Sequence, residues 1–108
     1  MPNISFLDKW DDASSGPLTE DAVGKTHFPP DEHRVSRDSY LPGEVIRGIR
    51  TKAVLLYIAS GECRIECQEE HAHLIAGDVV RLQGGIYTVT VLGSGELSII
   101  NVWKLPSP

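Results

Sequence analysis

Little in this sequence of 108 residues supplies the usual handles for chemistry. It has two cysteines, one methionine and four histidines, and aromatic residues make up 6% of the chain. Cys63 and Cys67 fall in one extended stretch, which sets their α-carbons roughly 13 Å apart, beyond disulfide reach. No second cysteine pair exists to complete a zinc site, so both read as small reduced core residues. No apolar run approaches the roughly 20 residues needed to span a bilayer, and the first residues lack the basic and apolar regions of a secretory signal. A cytoplasmic protein without a membrane partner is expected. Basic charge is also scarce: ten Lys and Arg stand against fifteen Asp and Glu, for a net charge of −5. The whole of that excess lies in residues 1–33, where Lys9 and Lys25 face Asp8, Asp11, Asp12, Glu20, Asp21, Asp31 and Glu32. With no basic stripe to neutralise phosphates, a nucleic-acid partner is not expected.

What the chain does have is a series of short apolar segments cut by glycines. The marks are Pro42-Gly43, Gly61-Glu62, Gly77-Asp78, Gly84-Gly85 and Gly93-Ser94-Gly95. Between them residues 53–59, 63–67, 79–82, 86–92 and 97–103 are β-branched, aromatic and short, as half-buried strands require. Residues 68–70 read as a hairpin turn. Strands at this spacing in a chain of this length predict one all-β sandwich or barrel. Inward positions are expected to include Leu56 or Tyr57, Val80, Leu82 and one alternating set from Ile86 to Leu92. The division expected is a polar, partly irregular segment over 1–26 and a β domain over 27–108. Within the first part, Thr19 can cap a short helical turn that Gly24 ends, and Phe6, Leu7 and Trp10 recur at helical spacing as a docking stripe.

The run from Pro42-Gly43 through Leu56, Gly61-Glu62, Gly77-Asp78-Val79-Val80 and Gly84-Gly85 resembles the small single-domain cupins. The resemblance covers about two-thirds of the chain and implies a double-stranded β-helix, or jelly roll. In metal-binding members it also implies two histidines and a glutamate ahead of the glycine matching Gly61, and a third histidine after the one matching Gly77. Those positions correspond here to about Gly48, Arg50, Ala53 and Thr88, and a one-residue slip in the first motif restores no ligand set. The expectation is therefore a cupin-like domain with neither metal nor other cofactor. His71 and His73 imitate the missing pair, but if Leu74 faces inward they share the outer face with Ile75. His27 and His33 are too scattered in sequence to join them.

Four residues remain as candidates for a ligand in the barrel. Arg50 can hold a carboxylate or phosphate in a bidentate fork. Glu44 shares its strand parity and can orient it, and Tyr57 and Thr88 offer hydroxyls. The expected function is the binding of a small, anionic organic molecule in the barrel. A metal-independent isomerase, cyclase or lyase using Glu44 and Tyr57, and a purely structural dimeric subunit, are the alternatives. A homodimer is expected, through Ile75, Val89 and Val91 on the outer face, together with Phe6, Leu7 and Trp10.

Overall fold

The computed structural model describes residues 3–7, 9–27, 32–50 and 53–104, with residues 49 and 50 described for their backbone alone. The elements in chain order are β1 (Ile4–Phe6), α1 (Asp12–Ser15), α2 (Glu20–Gly24), β2 (His33–Tyr40), β3 (Val45–Arg50), β4 (Val54–Ser60), β5 (Glu62–Cys67), β6 (Glu70–Ile75), β7 (Val79–Leu82), β8 (Gly85–Leu92) and β9 (Leu97–Lys104). They form a five-stranded sheet in the order β1-β7-β4-β9-β2 and a four-stranded sheet in the order β3-β8-β5-β6. Among the described residues the paired strands run antiparallel. The expected all-β double-stranded β-helix is the fold observed.

The two sheets close on one apolar core. Val54, Leu56 and Ile58 of β4 meet Cys63, Ile65 and Cys67 of β5, with Leu74, Val80, Leu82, Tyr87, Val91, Leu97 and Ile99. Every second residue of each strand enters it, as the pleat dictates. Of the expected inward set, Leu56, Val80 and Leu82 are in this core, with Tyr87, Val89 and Val91 from β8. Val89 and Val91 therefore do not belong to the outer face, because β8 pairs with the register that points its threonines outward. Both cysteines are buried, and burial pushes the Cys63 thiol up to about 11, as expected of a packing residue rather than a nucleophile.

A second core lies on the outer side of the five-stranded sheet. Tyr57, Val79, Ile100 and Val102 project there and are covered by Val23 of α2, with Trp10, Leu18, Val35, Leu55 and Ala59 packed around them. The local chemistry of the cover is readable: the Thr19 side chain accepts from the Ala22 amide and caps α2, and Asp11 accepts from Ala13 to cap α1. The segment expected as a helical stripe begins instead as a strand, since β1 pairs with β7, and Phe6 and Leu7 stay 56% and 44% exposed. Trp10 alone of the three docks, edge-on to Tyr57 at 5.9 Å, with its indole N–H donating to the Gly16 carbonyl. The Glu70 carboxylate accepts from the Asn3 amide, and Lys9 pairs with the buried Asp78 at 3.4 Å, so both ends of the N-terminal strap are tied to the sheets. β4, buried on both faces, is thus the centre of the molecule.

Candidate functional site

The barrel interior is filled. It leaves a cavity of about 40 Å³ bordered by Asp38, Tyr40, Gly48, Tyr87, Ile99 and Asn101, on the scale of a few waters. Its polar groups are occupied locally: Asn101 donates to Asp38 at 2.9 Å, and the Tyr87 hydroxyl donates to the Gln83 carbonyl at 2.6 Å. Of the anion site expected here, Glu44, Tyr57 and Thr88 are not brought together. Glu44 sits in the exposed turn before β3, where its carboxylate accepts from the Leu41 amide at 2.6 Å and closes the turn. Tyr57 faces the outer core rather than the barrel, because Leu56 takes the inward position on β4. Thr88 lies opposite Arg47 and Glu66, on the outward side of a strand whose Tyr87 and Val89 face in. Arg50 pairs through its backbone with Gly85, and its side chain lies outside the described residues. Glu44 and Tyr57 therefore do not share a site for acid–base work.

The resemblance to metal-binding cupins points to Gly48, Arg50, Ala53 and Thr88 as the positions to compare. Gly48 has no side chain, Thr88 points outward, and no group of three or more His, Cys, Asp or Glu gathers among the described residues. His71 and His73 occupy the outer face of β6, as expected, opposite Glu66 and Arg64. His73 contacts the Glu62 carboxylate, an exposed pairing at the surface.

Two larger hollows lie elsewhere: an open groove of about 370 Å³ at the turns, among Gly61, Glu62, Ala76 and Gly93–Gly95, and a cavity at the end of the five-stranded sheet where β2 and β4 begin and β7 and β9 end. The second is floored by strands. It measures about 340 Å³ and is lined by Leu7, His27, His33, Ala53, Val54, Leu55, Arg81, Val102, Trp103 and Lys104. The register explains the assembly: Leu55 pairs with Arg81 on one side and Val102 on the other, and His33 pairs with Lys104. The outward positions of four adjacent strands thus converge. His27, the last described residue of the cover, forms one wall. Its ring lies 5.4 Å from that of His33, and its Nε2 is 3.0 Å from the Tyr57 hydroxyl. Burial raises the Tyr57 hydroxyl above its ordinary value, which keeps the phenol protonated beside the imidazole. Two histidines that looked unrelated in sequence are neighbours, and Tyr57 is joined to this cavity through one of them. The signal that could have paired them was their closeness in sequence, six positions apart.

Burial, and then the neighbouring His33, hold His27 below the ordinary imidazole range. The unfolded chain therefore takes up this proton more readily than the folded one. The contribution to stability is complete above the unfolded value near pH 6.5 and is lost as the pH falls below it. Among the described residues the groups shown against the ring are His33 and Tyr57, neither of which supplies a negative charge at neutral pH. The melting temperature should decline between pH 7 and pH 5, and His27→Gln should flatten that decline. An unchanged slope in His27→Gln would show that the ring is not the group responsible.

Two packed antiparallel sheets in this strand order define a cupin-fold domain, and comparison with solved structures agrees. A cupin superfamily protein from Desulfitobacterium hafniense is 20% identical with a TM-score of 0.58, covering 70% of each chain. The cupin-2 domain of an XRE family transcriptional regulator from Enterobacter cloacae is 14% identical with a TM-score of 0.62, covering 96% of each chain. A predicted oxalate decarboxylase from Thermotoga maritima is 21% identical with a TM-score of 0.59, covering 82% of this chain and 76% of that one. No protein-family model matches the chain, and no curated protein does. At these identities the likeness is one of fold, and no described helix is long and apolar enough to cross a membrane.

Proposed function

We propose that this cupin-fold domain is a metal-free binding module for a small organic molecule, and that the ligand sits against the outer face of the five-stranded sheet rather than inside the barrel. The observation that carries this reading is the contrast in volume, about 340 Å³ beside Leu55 and Trp103 against about 40 Å³ in the barrel, together with a strand-built apolar floor that the more open groove of about 370 Å³ among the turns at Gly61 and Gly93–Gly95 does not share. A cavity of about 340 Å³ falls in the range of small-molecule pockets, and its apolar floor with a few polar groups at the rim is their usual composition. A binding role is favoured over an enzymatic one because the residues that would do acid–base work, Glu44 and Tyr57, serve a turn and a core.

A thermal-shift screen of small organic acids, amines and neutral aromatics should yield compounds that raise the melting temperature. Saturating such a ligand to 100 times its dissociation constant contributes about 2.7 kcal/mol. Ala53→Phe, which puts a ring at an exposed position of the cavity wall, should remove the shift and leave the unliganded melt unchanged. A chelator should alter neither melt. Ligands whose shift survives Ala53→Phe would move the site elsewhere.

Self-association is a second reading. It rests on Val45, Ile75 and Ile86, which are 64%, 43% and 51% exposed on the open side of the four-stranded sheet. Sedimentation at micromolar concentration should show a dimer that Ile86→Glu converts to monomer, and a wild-type monomer would dismiss it.

A further inference from the structure

Resting on that reading, we infer that the cavity at Leu55 and Trp103 is selective for a small aromatic carboxylate, with Arg81 and Lys104 as its anion anchors. The charge of the lining points to this ligand. The chain as a whole is acidic, at −5, yet among the described residues the lining includes Arg81, Lys104, His27 and His33 and no carboxylate. Arg81 and Lys104 are both exposed, and no carboxylate pairs with either among the described residues. This differs from Arg64, which meets Glu66 at 3.4 Å, and from Lys9, which meets Asp78. Two fixed cations facing one cavity without an acidic partner repel each other, and an anion between them removes that repulsion. Arg81 also brings a planar fork that matches a carboxylate.

The remainder of the lining selects the body of the ligand. Leu55 and Val102 are outward-facing neighbours in the sheet and supply an apolar floor. The rings of His27 and His33 supply flat walls against which another ring can lie, while Trp103, packed against the barrel core from the other face of β9, borders the cavity at the sheet's end. The rigid positions are those on strands: Arg81 on β7, Leu55 on β4, and Val102, Trp103 and Lys104 on β9. A ring on the floor therefore presents its carboxylate toward groups whose backbone is already fixed, which lowers the ordering cost of binding.

The test uses 2-naphthoate, 2-naphthamide and 2-naphthylmethylamine as probes, titrated calorimetrically into the full chain at pH 7.5. These share a ring system and differ in charge. The acid should bind, the amide at least tenfold more weakly, and the amine not measurably. Arg81→Ala and Lys104→Ala should each weaken the acid at least tenfold, and Arg81→Glu should abolish its binding. Arg64→Ala, which removes the same charge from the opposite sheet, should change nothing. Circular dichroism and melts of each variant confirm that the fold is retained, which the exposure of both side chains favours. Equal affinity for acid and amide, with both lost in Ala53→Phe, would overturn the anion assignment and leave the binding site standing. If the cavity accepts none of the three probes and the broader screen yields no ligand sensitive to Ala53→Phe, both readings fall together.

Discussion

Deleting residues 1–26 is expected to lower the melting temperature by more than about 15 °C, or to leave a chain that aggregates. The segment is polar in composition, which makes it look dispensable, but its few apolar residues are the lid of a second core. Val23 is fully buried, and beneath it Tyr57, Val79, Ile100 and Val102 are nearly so. Truncation would return all of these side chains to water, at about 1.5–3 kcal/mol for each large one fully exposed. It would also strip β1 from the edge of β7 and leave unpaired ladder groups there. Several kcal/mol is a large share of the 5–15 kcal/mol that holds a typical domain together. For a chain of this size each kcal/mol moves the melting point by roughly 4–8 °C. A truncated protein that melts within about 5 °C of the full chain would show that residues 27–108 stand alone and that the outer core contributes little.

The fold was legible because its punctuation is chemical. Gly43, Gly61, Gly77 and Gly93 all have positive φ, so the glycines that divide the sequence into strands are the residues that turn the backbone. The Gly77-Asp78 turn is closed by an Asp78 carboxylate that accepts from the Ile75 amide at 2.8 Å, as an Asp after such a glycine suggests. β1 was not legible: three residues cannot show an alternation, and its partner β7 lies more than 70 residues away. The candidate site was harder still. Facing is read from alternation, and β4 has none to read, because Leu56 and Tyr57 are both buried, one in each core. In β8 the sequence alternates Thr and Val cleanly, but which set faces in depends on its pairing with β3 and β5. The cavity at Leu55 and Trp103 draws Leu7, His27, Leu55, Arg81 and Lys104 from five separate stretches, and only the sheet order brings them together.

Gly61→Ala is expected to be among the most damaging single substitutions in the chain, although it adds one methyl group. Gly61 has φ of +83° at the turn between β4 and β5, a conformation that costs an L-residue roughly 1–2 kcal/mol. A β-carbon there would also lie 2.6 Å from the Glu96 carbonyl oxygen and 2.8 Å from the Leu97 α-carbon. Both are backbone atoms at the start of β9, so no side chain can swing aside, and relief requires the turn and the strand to part. Overpacking of this kind adds roughly 1–3 kcal/mol. Gly43 provides the internal comparison: its φ is +85°, but a β-carbon would meet nothing within 4 Å. Gly43→Ala should therefore show the conformational cost alone, about 1–2 kcal/mol, and Gly61→Ala about 2–5 kcal/mol. Because β9 contributes Ile99, Ile100 and Val102 to the two cores, the displaced strand should loosen both at once. Chemical denaturation of the two variants side by side measures the difference directly. Equal destabilisation would mean that Glu96 and Leu97 yield without cost and that the close approach of this turn to β9 is not what holds the two elements together.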